Sequence, residues 1–334
     1  MVGGEVRQIT SVIKEGREKA YERMQHDAYG KRGVGITGVT SELILHGGNV
    51  EFLSVGSCVH KEGPQAPEEP VFSTSADGQE LYCQMDAGFE PVKFVFGNVA
   101  YAVGLGGSII GALRGLARGE VKEYSQIFNK TRHLALERIT AEAGAAGANS
   151  VVGIRTSIIP FQGMQEMVMI GTASNHPHFP EENEHGIVTS DLTNEEMWNL
   201  IHLGFVPLRL VLGVSVYSLG FAGGITSMLK SLVRGEIPEL TSLIYEAREN
   251  ALAHIRADAQ ACGADEVVGV KTYLYELGPG LIEFLAIGTA VKKVAGLTTL
   301  SDSLPPQAVM RDKETFVNAA EFRSGTDLNQ GRTR

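Results

Sequence analysis

Arg118-Gly119-Glu120-Val121 opens, and Val151-Val152-Gly153-Ile154-Arg155-Thr156 closes, the stretch that decides how this chain is read. The same text returns 116 residues later, from Arg234-Gly235-Glu236-Ile237 to Val267-Val268-Gly269-Val270-Lys271-Thr272. A third version runs from Gly4-Glu5-Val6 to about Val39. Text that recurs at a fixed interval is one structural unit written several times, so the unit is read first. Within each copy an apolar stripe recurs at helical spacing: Val121, Tyr124, Phe128, Thr131, Ala135, Ile139 and Ala143 in the central one. Its counterparts run from Ile237 to Ala259 and from Val6 to Ala28. This predicts a helix with one buried face. The middle of each stripe is small, which lets the helix axis approach a sheet closely. The glycines from Gly144 to Gly147 stop the central helix.

The flanking segments read as strands. Phe94-Val95-Phe96 and Met167-Val168-Met169-Ile170 are nearly continuous apolar runs. An antiparallel sheet with one face in water should alternate apolar and polar residues. The second face is therefore expected to be covered, by another copy or another chain. A unit of about 85 residues with one helix and three strands has little core of its own, which again predicts assembly.

Taken in order, residues 1–60 are a partial copy that lacks the opening strand, with a helix to about Ala28 and a hairpin turning at His46-Gly47-Gly48-Asn49. Residues 61–88 form a linker, 89–174 a full copy, 175–204 an acidic, His-bearing linker and 205–293 a second full copy. Residues 294–334 are a tail, with a short helix expected over Lys313 to Phe322. The full copies align at Pro91 and Pro207, Gly97 and Gly213, and Tyr101 and Tyr217. The fold class is α+β, in tandem β-α-β-β units with each helix packed on an antiparallel sheet. The open edge of the first copy predicts strand addition from another segment or chain.

The net charge of −10 lacks the basic face that nucleic acid requires, so no nucleic-acid partner is expected. Three widely spaced cysteines, Cys58, Cys83 and Cys262, suit a reducing compartment, and the start has no signal-peptide pattern. The expected location is cytoplasmic. Phe94 to Leu113 and Leu210 to Leu229 are each 20 residues without a formal charge, long enough to cross a bilayer. Their glycines and β-branched residues favour a buried strand, turn and helix start. A membrane-associated oligomer stands as the alternative.

Two residue sets suggest chemistry. Cys58 and His60, two apart at the end of a strand, carry sulfur and imidazole donors suited to zinc or another transition metal. His176, His178 and His185, among Glu181, Glu182 and Glu184, crowd the second linker. The last copy has Ala290 and Lys292 where the first has Cys58 and His60, so at most some copies would bind metal. The alternative is a free thiol and a solvated linker. The second set is Glu120 with Arg132 and Glu236 with Arg248, echoed by Glu5 and Arg17. Glutamate at a helix start suits the helix dipole, and an arginine a few turns on is placed to pair across a subunit boundary. We read these as interface residues. Gly104-Leu105-Gly106-Gly107 does not complete a dinucleotide-binding pattern, because Ile109 stands at the third glycine. No Ser/His/Asp or Cys/His set recurs, so no catalytic residue is assigned and a non-enzymatic protein is expected.

Gly119-Glu120-Val121, the stretch Ala146-Gly147-Ala148-Asn149-Ser150-Val151-Val152-Gly153-Ile154 and Ile170-Gly171-Thr172-Ala173 resemble the YbjQ-like proteins, also called the UPF0145 or heavy-metal-binding domain family. Gly263-Ala264-Asp265-Glu266-Val267-Val268-Gly269-Val270 and Gly288-Thr289-Ala290-Val291-Lys292 resemble them still more closely. The resemblance implies a dodecin-like β-α-β-β fold that closes into rings, often of five subunits, together with a metal-binding label. It implies an oligomeric assembly or binding protein whose main partner is itself, built as a ring or shell. Metal-ion binding through the His and Cys residues at the strand ends is the alternative. The chain departs from the family pattern in fusing its copies and in having no Cys or His at one position in all three.

Overall fold

The computed structural model describes residues 4–61, 72–102, 119–161, 163–179, 186–218, 238–278, 280–305, 308–310 and 316–318. The first copy supplies β1 (Gly4–Glu5), α1 (Arg7–Gly30), β2 (Gly35–His46) and β3 (Asn49–Val59). Between the copies lie β4 (Phe72–Ser73) and α2 (Gly78–Asp86). The second copy supplies β5 (Glu90–Ala102), β6 (Gly119–Glu120), α3 (Lys122–Ala145), β7 (Ser150–Phe161) and β8 (Met164–Asn175). Then come β9 (Val188–Thr189) and α4 (Asn194–His202), followed by the third copy's β10 (Phe205–Ser218), α5 (Pro238–Ala261), β11 (Glu266–Gly278) and β12 (Leu281–Lys293). These elements fall in one compact unit, residues 1–299. A second unit, residues 300–334, holds the hairpin of β13 (Ala308–Met310) and β14 (Phe316–Asn318). A strand thus stands at Phe316–Asn318, inside the span expected to be helical. Phe316 and Val317 favour extended backbone.

Each full copy builds an antiparallel sheet in which its last strand lies between the other two, β5-β8-β7 and β10-β12-β11. The recurring Val-Val-Gly motif has a specific job there. The registers slip between Val152 and Arg155 and between Val268 and Lys271, with Gly153 and Gly269 at φ 63° and 64°. Thr37 to Thr40 repeats the slip around Gly38 at φ 62°. A bulge residue in the left-handed region is where glycine is cheapest.

The copies are interleaved. β1 leaves its own copy and pairs with the edge of β5, Gly4 opposite Ala102 and Glu5 opposite Tyr101. β6 does the same to β10 of the third copy, Gly119 opposite Ser218 and Glu120 opposite Tyr217. Each tongue is fixed by the same two contacts. Val6 N–H donates to Ala100 O at 2.8 Å, and Ala100 N–H donates to Thr10 Oγ1 at 3.0 Å. Val121 and Val216, with Ser125 Oγ, repeat both, at 2.8 and 2.9 Å.

The first two helices are consequently packed on both sides. α3 lies on β5 and β8 of its own copy and against β10 of the next, and α1 touches β2 and β3 as well as β5. Strand β10 shows the result. Leu210, Leu212, Val214 and Val216 face the second copy, while Val211 and Tyr217 face α5. Both faces are buried, which accounts for the unbroken apolar run. The described parts of the two uncharged stretches, Phe94–Ala102 and Leu210–Ser218, are therefore sheet strands enclosed by protein. Their remainders lie outside the described residues. No helix among the described residues is long and apolar enough to cross a membrane.

The connecting segments carry structure. β4 adds to β2 and β9 adds to β7, both parallel. α2 and α4 each begin with a reciprocal capping box, Asp77 with Glu80 and Thr193 with Glu196. The two helices pack together, and Trp198 Nε1 donates to Asp86 Oδ2 at 2.6 Å. The first copy's sheet runs β3-β2-β4, so its added strand comes on the far side of β2. The β3 edge, where an opening strand would lie, is unpaired among the described residues. A groove of about 400 Å³ runs along it, lined by Ala20, Met24, Phe52, Val55 and Cys58 among others.

Candidate functional site

The two seams between copies each hold a fully buried Arg–Glu pair. At the first, Arg17 on α1 donates from Nε to Glu166 Oε1 at 3.1 Å and from Nη2 to Glu166 Oε2 at 2.7 Å. Its Nη1 reaches back to Ser41 O and Oγ at 2.9 and 3.0 Å. At the second seam, Arg132 on α3 donates from Nε to Glu283 Oε1 at 3.0 Å and from Nη2 to Glu283 Oε2 at 2.7 Å. All four side chains are 0% exposed. The planar guanidinium matches the two carboxylate oxygens in a fork that lysine cannot make. Arg132 also lies over the Tyr101 ring, 4.5 Å from its centroid. Burial alone would lower the Arg132 pKa, but the Glu283 charge overrides it and holds the group above its ordinary value. The seams differ in one respect. Thr156 in β7 occupies the place of Ser41, and both Arg132 Nη1 and Thr156 Oγ1 are buried without a partner.

The remaining interface residues of the sequence reading fall as follows. Glu5 accepts from Arg138 Nη2 at 2.6 Å, tying the first tongue to the second helix. Glu120 accepts from Ser125 Oγ at 3.0 Å. Arg248 is exposed on α5. Glu236 lies outside the described residues. The acidic halves of the two clamps, Glu166 and Glu283, were missed by sequence reasoning. The signal is present, because each is a lone carboxylate inside an apolar run, Gln165-Glu166-Met167-Val168 and Ile282-Glu283-Phe284-Leu285. A charge there is tolerated only with a partner.

The metal candidates are dispersed. Cys58 Sγ lies 3.8 Å from His60 Nε2 at the end of β3, two donors on one edge. His176 is 2% exposed, packed between Phe89 and Phe179 with ring centroids 4.6 and 4.4 Å away. Its Nε2 donates to Ala87 O at 3.3 Å, and its Nδ1 accepts from His178 N–H at 3.3 Å. Both ring nitrogens are thus engaged, and burial pushes its pKa down to about 4. His178 stacks against it at 5.5 Å. His185, Glu181, Glu182 and Glu184 lie outside the described residues. Among the described residues no three His, Cys, Asp or Glu side chains gather to hold a metal ion. The other thiols are buried, and burial pushes that of Cys83 up to about 11, away from nucleophilic use.

A polar recess of about 210 Å³ sits where the hairpins of the second and third copies meet, lined by Arg155, Asp191, Asn194 and Lys271 among others. Its charges are satisfied internally. Lys271 Nζ reaches Asp191 Oδ2 at 3.3 Å, Thr289 Oγ1 donates to Asp191 Oδ1 at 2.8 Å, and Arg155 Nη2 reaches Glu80 Oε1 at 2.8 Å.

Two successive β-α-β-β copies with glycine bulges and a clamp between them can now be set beside known proteins. The model of the family described as "Putative heavy-metal-binding", YbjQ-like, matches residues 88–176 and again residues 206–294. The chain belongs to this family. A UPF0145 protein of Methanococcus maripaludis is 41% identical over 85 residues, 25% of this chain and 76% of that protein. One from Methanococcus vannielii is 39% identical over 84 residues, 25% of this chain and 80% of its own length. A protein of Mycobacterium tuberculosis named an encapsulin nanocompartment protein is 29% identical over 243 residues, 70% of this chain and 91% of its own length. The single-copy relatives thus match one YbjQ-like unit, and the mycobacterial protein matches across several. The family's description refers to metal binding and the mycobacterial protein's name to a compartment; the UPF0145 names state no activity.

Proposed function

We propose that this YbjQ-like chain is a non-enzymatic assembly protein whose copies build a closed ring or shell. The observation that carries the reading is the seam. Within the chain, one copy is joined to the next by a buried Arg–Glu clamp, a strand tongue and a sheet face enclosed by the neighbouring helix. Such a junction can be repeated, and among the described residues Glu51 of the first copy and Arg248 of the third are exposed where their counterparts are buried in clamps. The mycobacterial relative's name as a nanocompartment protein supports an assembled role. Five-fold closure is the expectation that the family resemblance adds. Because each chain brings two full copies and a partial one, a ring counted in copies holds fewer chains than copies. Native mass measurement tests the reading. The expected outcome is a species at a small multiple of 35.8 kDa, and a monodisperse monomer at all concentrations would overturn it.

A second reading is metal-ion binding, favoured by the 3.8 Å approach of Cys58 Sγ and His60 Nε2. A zinc or other transition-metal ion would need further ligands from outside the pair. Elemental analysis of the purified protein is expected to find bound metal that is lost in Cys58→Ser and His60→Ala. Metal-free wild-type protein would reject it.

A further inference from the structure

Resting on the assembly reading, we propose the contact that joins one chain to the next. The outer face of α5 of one copy of the chain seats on the bare outer face of the β2–β3 hairpin of a second copy, with Arg248 of the first clamping Glu51 of the second.

The repeat fixes both halves. Arg17, Arg132 and Arg248 are each the eleventh residue of their helix. Glu51, Glu166 and Glu283 are each the third residue of their strand. The strand register agrees, since Glu51 lies opposite Ile44, Glu166 opposite Ile159 and Glu283 opposite Tyr275. In the chain, the arginine of each copy takes the glutamate of the next copy. Among the described residues that rule fills two seams and leaves Arg248 of the third copy and Glu51 of the first outside any such clamp. Arg248 is exposed. Among the described residues Glu51 holds a solvent-facing contact to His46, at 2.6 Å, with side-chain exposures of 52% and 58%.

The apolar surroundings obey the same rule. Outward from Glu51 come Leu53 and Val55, 37% and 51% exposed. The counterparts next to Glu283 are Leu285 and Ile287, 1% and 2% exposed beneath the preceding copy. On the helix side Tyr245 is 65% exposed, and Thr241, at the place where Thr10 and Ser125 hold the next copy's opening strand, is also exposed. Leu252 is half-buried where Leu136, the equivalent residue, is 4% exposed. One surface therefore offers a cation among apolar side chains, and the other an anion among apolar side chains, in the arrangement that the chain already uses twice.

One member is missing. Among the described residues the edge of β3 carries no counterpart of β5 or β10 that a second copy could extend. The inter-chain seam buries less than the internal ones and is expected to be reversible and concentration-dependent.

Charge reversal with mixing tests this. Native mass is measured over a dilution series for the wild type, Glu51→Arg, Arg248→Glu, their equimolar mixture and the double variant. Each single variant is expected to need at least about 30-fold higher concentration to assemble, as for a hydrogen-bonded charge pair worth about 2 kcal/mol or more. The mixture, in which reversed ends meet, and the double variant are expected to recover most of the loss. Circular dichroism should be unchanged, because both residues are exposed in the single chain. An assembled wild type whose single variants assemble equally well overturns this contact and leaves the assembly reading standing. A wild type that is monomeric throughout overturns both.

Discussion

Removing the carboxylate of Glu166 strands the Arg17 guanidinium inside the protein, since both groups are 0% exposed. An uncompensated buried charge costs about 3–5 kcal/mol. Glu166→Ala and Glu283→Ala should each lower the free energy of unfolding by that amount in denaturant titrations. Lys19→Ala, which breaks an exposed pair with Glu15, should change it by less than about 0.5 kcal/mol. Sequence displayed the arginines, because they recur at one helix position. It did not display their partners, because pairing skips from one copy to the next and depends on which strand face is covered. His176 is a second case. Its two neighbours in the linker suggested metal, yet it is packed between the local Phe179 and Phe89, a contact that crosses from one end of the copy to the other. It also gives a pH prediction. Its folded pKa of about 4 lies below the ordinary 6.5. As pH falls through 6.5 the unfolded chain takes up a proton that the folded chain refuses until about 4. Stability is full above 6.5 and declines across that window, by as much as about 2 kcal/mol. His176→Phe should flatten the decline, as read from melting temperatures at pH 7 and pH 4.5.

At the scale of elements, the small centre of each helix stripe corresponds to a close approach. A Cβ on Gly97 in β5 would overlap the Ala135 carbonyl oxygen of α3, and one on Gly213 in β10 would overlap that of Ala251 in α5. Backbone cannot swing aside as a flexible side chain can. Gly97→Ala and Gly213→Ala should each destabilise by about 1–3 kcal/mol in thermal or denaturant unfolding. This much was readable beforehand from the matched glycines and the alanines of the stripe. The connecting segments were less readable. Their prolines and acids suggest plain linker, yet Asp77-x-x-Glu80 and Thr193-x-x-Glu196 are capping boxes that start helices, and the preceding residues extend the sheets. A strand of two residues has too little text to show a period.

At the scale of the whole molecule, interleaving means that a copy cut from the chain is not a smaller version of it. An excised third copy, residues 205–299, would keep the core between its sheet and α5. It would lose everything that covers the opposite sheet face, where Leu210, Leu212, Val214, Val216, Leu285 and Ile287 are each 2% exposed or less in the full chain. Burying side chains of this kind stabilises by about 1.5–3 kcal/mol apiece. Exposing six of them removes about 9–18 kcal/mol, comparable to the whole margin of about 5–15 kcal/mol by which a domain is ordinarily stable. Glu283 would also lose Arg132, but in the fragment it would face water and cost little. The fragment is therefore expected to aggregate or self-associate through that face rather than to remain a folded monomer. Light scattering of the purified fragment beside the full chain checks this. A monomeric fragment with full secondary structure and a cooperative melt would show that each copy stands alone, and that the seams join units already stable without them.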